Sequence, residues 1–271
     1  MPGLRRLWVV CTALLFACSC QRGSEHSPPK KPAGATIRVA AAADLTNAFE
    51  AAGKTFQESN ADTLSFTFGA SGLLAKQLRE GAPFDVFAAA NERFVDEAVA
   101  AGTCDATSKR LYAQGHLVLW SMKSAVTRPP TTLNDLVDLR FARIAIANPT
   151  HAPYGQAAKE ALEKSNLWSA LQPRLVYGEN IRQTMQLVQS GNADVALLAE
   201  SLVHGNNLGI TVAIDPALHA PITQALVVCS KGPNRRGGKA FADFLNAPAG
   251  QAVLKRFGFG IPTEVTAPKA P

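Results

Sequence analysis

Residues 64–90 read LSFTFGASGLLAKQLREGAPFDVFAAA. LSFTFG is a short apolar run of strand type, and Ser71, held between Gly69-Ala70 and Gly72, opens a helix running to about Glu80. DVFAAA (85–90) is the next strand, and a further helix follows around Phe94–Ala101. Strand, helix and strand in this order form a βα unit, the building block of a parallel α/β sheet. Working outward, Thr36–Ala43 (TIRVAAAA) is an earlier strand, and Asp44 opens a helical pattern through Phe49, Ala52 and Phe56. Leu117–Met122 is another strand. A second set of units follows: the strand RIAIA (143–147), a long helix Gln156–Leu171, the strand Arg174–Tyr177, a helix from about Asn180 to Gln189, and the strand Asp194–Leu198. Thr211–Ile214 and Ala225–Cys229 read as strands, and Lys239–Leu245 as a last helix that continues through Phe257.

The two sets are similar in size but share no convincing repeat. The chain of 271 residues suits two lobes. An α/β architecture is expected, with residues 36–118 and 222–265 forming a discontinuous first lobe and residues 119–221 a second. Open α/β sheets place ligands beyond the carboxyl ends of their strands, so two lobes facing each other make a cleft there.

Composition excludes several classes. At 47% hydrophobic and 18% charged the chain can bury a core and is not a disordered protein. The net charge of +6 is uneven, because residues 1–35 hold Arg5, Arg6, Arg22, Lys30 and Lys31 against Glu25 alone. The remainder is nearly neutral, which argues against a nucleic-acid partner. Arg5 and Arg6 precede the apolar run Leu7–Ala17, a charged segment and hydrophobic segment of signal-peptide length, too short to span a membrane comfortably. The run ends Leu15-Phe16-Ala17-Cys18-Ser19-Cys20. A small residue before a Cys resembles the bacterial lipobox, so residues 1–20 are expected to be a lipoprotein-type signal. Cys18 is then the lipidated residue, with Cys20 the alternative. Residues 21–35, polar and Pro-rich, read as a flexible tether. Beyond the signal only Cys104 and Cys229 remain; they either pair or stay two buried thiols.

Four strand-to-helix junctions carry similar chemistry. They are Asp44 after the Ala-rich strand, Ser71, Pro153-Tyr154-Gly155, and Glu179-Asn180-Ile181. Each presents unpaired backbone N–H groups and a partial positive charge at a helix start. Several converging in one cleft bind an anion without Lys or Arg. Asp44 is a good N-cap residue, so its carboxylate is expected to turn back onto its own helix, leaving anion binding insensitive to pH near neutrality.

An enzyme is not indicated. Ser71 lies in Gly-Ala-Ser-Gly-Leu rather than G-x-S-x-G, Lys76 is five residues away, and His116, His151, His204 and His219 show no triad or metal spacing. No glycine-rich nucleotide motif occurs. No metal or organic cofactor is expected.

Six segments in order resemble the periplasmic molybdate-binding proteins of bacterial ABC importers: AAADLTNAFEAAGKTF (41–56), FGASGLLAKQLREGAPFDVF (68–87), YAQGHLVLW (112–120), IAIANPTHAPYGQAAKEAL (144–162), YGENIRQTMQLVQSGNADVAL (177–197) and KRFGFGIP (255–262). The resemblance implies a two-lobed type II periplasmic binding protein fold that closes over a tetrahedral oxyanion, molybdate or tungstate, with an importer permease as partner. It implies an extracytoplasmic location, and the converging helix starts with no ligand-spaced Cys or His predict a monomer that binds one oxyanion between its lobes. It carries ligand roles to Asp44, where the family commonly has Ser or Asn, and to Ser71, Tyr154 and Ile181. A tyrosine hydroxyl used by some relatives is replaced by Ala199. Asp44 raises two alternatives, a protonated oxyanion such as hydrogen phosphate as ligand, or an interaction lipoprotein that no longer binds one.

Overall fold

The computed structural model describes residues 34–124 and 128–262, and the expected signal, tether and lipidated cysteine lie outside the described residues. In chain order the first elements are β1 (Thr36–Ala42), α1 (Thr46–Ser59), β2 (Thr63–Gly69), α2 (Ser71–Arg79), β3 (Val86–Ala89), α3 (Glu92–Ala100), β4 (Arg110–Gly115) and β5 (Leu117–Met122). There follow β6 (Ile144–Ala147), α4 (Pro153–Lys164), α5 (Trp168–Leu171), β7 (Leu175–Gly178), α6 (Ile181–Gln189), β8 (Val195–Ala199) and α7 (Glu200–Val203). The chain ends with β9 (Gly209–Ala213), β10 (Ile222–Val228), α8 (Arg235–Asn246) and α9 (Pro248–Arg256).

The strands form two five-stranded sheets, ordered β2-β1-β3-β10-β4 and β7-β6-β8-β5-β9. One sheet centres each lobe. Neither sheet is purely parallel. β10 runs antiparallel to β3 and β4, and β5 runs antiparallel to β8 and β9, because the chain enters and leaves the second lobe through these strands. β4 has no counterpart in the expected strands.

The first sheet buries both faces of its inner strands β1, β3 and β10, which are nearly continuous apolar runs, whereas the edge strand β2 alternates between exposed and half-buried residues. Ala40, Phe87, Ala89 and Val227 face Leu74, Leu78, Val95 and Ala98 of α2 and α3. Ile37, Val39 and Ala41 face the aromatic pack of Phe49 and Phe56 from α1 and Phe241 from α8, with Phe56 and Phe241 edge to face at 5.4 Å. The apolar spacing of Phe49, Ala52 and Phe56 is what places α1 on this face.

Two long helices of the sequence reading are each broken. The Gln156–Leu171 helix is α4 and the separate α5, with Asn166 at φ 57 between them, a left-handed conformation that ends the helix. The final helix divides at extended Ala247, after which Pro248 starts α9.

Cys104 and Cys229 form a disulfide that spans 125 residues of chain, including the whole second sheet. Cys229 immediately follows β10, and its N–H donates to the Asp85 carbonyl (2.9 Å).

Candidate functional site

The carboxyl end of β1 turns directly into a 3-10 turn, Ala43–Leu45, which puts Asp44 at the lobe junction. β2 ends at Gly69 and Ser71 begins α2 two residues later. In the second lobe Tyr154 is the second residue of α4 and Ile181 the first of α6. The four residues expected from the sequence line one cavity together with Ala42, Ala43, Gly69, Ala70, Ala90, Ala152, Pro153 and Asn180. Its volume is about 10 Å³, room for about one water. All four are buried: Asp44 is 1% exposed, Ser71 0%, Tyr154 2% and Ile181 4%. The lining holds no Lys, Arg or His. A larger hollow of about 490 Å³ between Gln114, His116, Glu200, Ile214 and His219 receives none of these helix starts.

Local hydrogen bonding decides which donors remain free. Ser71 Oγ accepts from the Ala90 N–H (3.1 Å), so its O–H is left to donate. At α6 the Asn180 side chain accepts from the N–H groups of Arg182 and Gln183 (both 3.0 Å), and the Thr184 N–H donates to the Asn180 carbonyl (3.0 Å). That leaves the Ile181 N–H as the uncapped donor of this turn. At α4 the first intrahelical bond runs from the Gln156 N–H to the Ala152 carbonyl (3.0 Å), and Pro153 has no N–H. The Tyr154 N–H, inside the first turn, therefore has no intrahelical acceptor.

The cleft is closed by direct contact between the lobes. The Gly72 N–H donates to the His151 carbonyl (2.9 Å), and a Cβ at Gly72 would lie 2.9 Å from both His151 Cβ and Phe94 Cε1. Only glycine allows α2 to meet the second lobe this closely. Ser201 Oγ of α7 donates to the Asp44 carbonyl (2.8 Å), a second tie across the junction.

The Asp44 carboxylate does not cap a helix; neither the 3-10 turn nor α1 has a side-chain cap. It turns instead into a buried polar cluster that the sequence reading missed. Gln224 Nε2 of β10 donates to Asp44 Oδ2 (2.5 Å), and Gln224 Oε1 accepts from the Tyr112 hydroxyl of β4 (2.8 Å). The Tyr154 hydroxyl lies 3.4 Å from Gln224 Nε2 and over Gly115, where a Cβ would come within 2.2 Å of it. Asp44 Oδ1 makes no hydrogen bond with any described residue. Burial pushes the Asp44 carboxyl up to about 6, against the lowering influence of the Gln224 bond and of the nearby Tyr154 hydroxyl. Burial and the neighbouring Asp44 charge raise both Tyr112 and Tyr154 well above the ordinary phenol value. Ala199 is buried at the end of β8 and is absent from the cavity lining.

Two α/β lobes that both direct helix starts to one small cavity without cationic side chains define a solute-binding protein of the two-lobed periplasmic kind. The chain belongs to the bacterial extracellular solute-binding protein family, whose model matches residues 37–260. It is 33% identical over 230 residues to the molybdate-binding protein ModA of Rhodobacter capsulatus, covering 84% of this chain and 89% of that protein. It is 33% identical over 262 residues to the ModA of Azotobacter vinelandii, covering 96% and 98%. Among solved structures, the periplasmic molybdate-binding protein of Azotobacter vinelandii superposes with a TM-score of 0.77 at 25% identity, covering 84% of this chain and all of that one. Proteins of this family are substrate-binding components of transport, not enzymes.

Proposed function

We propose that the chain captures molybdate outside the cytoplasm and delivers it to the membrane permease of an ABC importer. The observation that carries this reading is the cavity itself. Ser71, Tyr154 and Ile181, at the starts of α2, α4 and α6, line one buried space with no cationic side chain in its lining. Such a site stabilises a dianion by oriented dipoles and rejects larger or less symmetric anions by shape. The relatives named for molybdate support the choice of anion. Tungstate, nearly isosteric, is taken to bind as well. A five-atom oxyanion exceeds a one-water cavity, so loading requires a small outward movement of the lobes, and the Gly72–His151 bond is one that reforms on closure.

Calorimetry of the purified chain against molybdate, tungstate, sulfate and hydrogen phosphate tests the reading. Molybdate and tungstate binding at micromolar levels or better, with sulfate and phosphate weaker, is the expected result. Hydrogen phosphate is the second reading, favoured by the presence of Asp44 among the residues that line the cavity, and tighter phosphate binding would replace the first. Absence of any ligand-induced rise in melting temperature would point to the interaction lipoprotein instead. We further propose a monomer anchored by lipid on Cys18. Fatty-acid labelling that persists in Cys18→Ala would move the anchor to Cys20.

A further inference from the structure

A buried carboxylate in an anion site needs an explanation, because a charged Asp44 opposes the ligand the cavity is built to hold. Like charges a few ångströms apart in a water-poor site repel strongly. Among the described residues no cationic side chain acts on that carboxylate. The titratable groups facing it are the phenols of Tyr112 from β4 and Tyr154 from α4, which burial keeps neutral. β10 presents Gln224, α6 presents Asn180 and Ile181, and β2 ends in Gly69. α7 presents Ser201, while its Glu200 is engaged by His116 and His204, each at 3.3 Å. α1 begins with Thr46, whose hydroxyl donates to the Ala43 carbonyl, and the charged Glu50 and Lys54 of that helix are exposed, as is Arg182 of α6. Gln224 occupies Oδ2 and leaves Oδ1 bare at a residue that lines the cavity.

We infer that Asp44 couples oxyanion capture to the uptake of one proton: the buried carboxyl beside the cavity closes the loaded site in its protonated, neutral form. This rests on the oxyanion reading above and adds its regulation. The proton comes from solvent on binding and returns to solvent on release; no covalent bond changes otherwise. Oδ2 keeps its bond from Gln224, and the proton has a place on Oδ1, which has no partner among the described residues. The empty site's carboxyl sits at about 6, and a dianion beside it raises that further. The protein therefore holds its ligand more tightly in mildly acidic surroundings and lets go more readily as pH rises.

The test is calorimetry with sodium molybdate between pH 5.5 and 8, in pairs of buffers of different ionisation enthalpy, on the wild-type chain and on Asp44→Asn. Any protonation of the ligand itself is common to both proteins. The wild type is expected to take up close to one proton at pH 8 and to lose affinity about tenfold per pH unit above 6. Asp44→Asn carries no charge at any pH, so its affinity is expected to be flat with pH and about a hundredfold above wild type at pH 8. A flat wild-type profile with no proton uptake would overturn the inference while leaving molybdate capture intact, and this arm needs no variant to fold. Tight hydrogen phosphate binding abolished by Asp44→Asn would place the proton on the ligand and also overturn it. No binding of molybdate or tungstate by either protein would overturn the oxyanion reading itself.

Discussion

The two ends of the first sheet each bury an aspartate, and they treat it differently. Asp85, at the amino-terminal end of β3, is 0% exposed and fully engaged: Oδ2 accepts from the Arg38 N–H (2.7 Å) and Oδ1 from the Asn234 N–H (2.6 Å). Its own N–H donates to the Arg38 carbonyl (2.8 Å), and the disulfide closes beside it through Cys229. Asp44, beyond the carboxyl-terminal end of the neighbouring β1, is almost as buried but has one oxygen held by an amide and the other bare. Backbone N–H groups at fixed positions turn a buried carboxylate into a stitch. A carboxylate given one side-chain donor and a cavity is left with capacity to spare, which costs stability and is useful only to a ligand.

Changes at the Asp85 end should cost stability and spare binding, and changes at the Asp44 end should do the reverse. The largest effect is expected from Cys104→Ala with Cys229→Ala. Opening a loop of this length is worth about 5 kcal/mol in the chain-entropy account, read as a fall in the denaturant midpoint. Molybdate affinity of the folded fraction should stay within about twofold, because neither sulfur approaches the cavity; a large loss of affinity would dissolve the contrast between the ends.

Asp85→Ala should follow, at about 4 kcal/mol, since it strands the Arg38 and Asn234 N–H groups. Urea unfolding measures it, and a cost under about 1 kcal/mol would mean that Asp85 is not a stitch.

Asp44→Asn should act with the opposite sign. The folded-state pKa of about 6 lies above the ordinary aspartate value of 3.8, so the folded protein binds the extra proton and loses stability as pH climbs from 4 through 6. The penalty is complete above that range, on the order of 3 kcal/mol. The variant should therefore melt higher than wild type at pH 8 and at the same temperature near pH 4. A lower melting temperature at both pH values would show that the carboxylate, like that of Asp85, is structural.

The smallest effect is Ser71→Ala. Removing a hydroxyl donor to a charged ligand should weaken molybdate by roughly 1.5–3 kcal/mol while barely moving the melting temperature of the unloaded protein. Unchanged affinity would take Ser71 out of the site.

What the sequence determined by itself is local. Each apolar run became a strand, and the helix starts at Ser71 and Ile181 fall where Gly69-Ala70-Ser71-Gly72 and Glu179-Asn180-Ile181 announce them. Glycine beside a serine and an asparagine cap act within one turn, so neighbouring residues suffice to specify them. Tertiary structure decided the rest. β10 and β5 run antiparallel because the chain crosses between the lobes through them, a route no periodicity encodes. The direction of the Asp44 side chain was likewise settled at long range. The local preference for a cap competed with a Gln224 amide 180 residues away, oriented by Tyr112, and the distant partner won. A cap motif records only what the next turn can offer, whereas a carboxylate at a lobe junction answers to whichever donor the folded chain brings within hydrogen-bond reach.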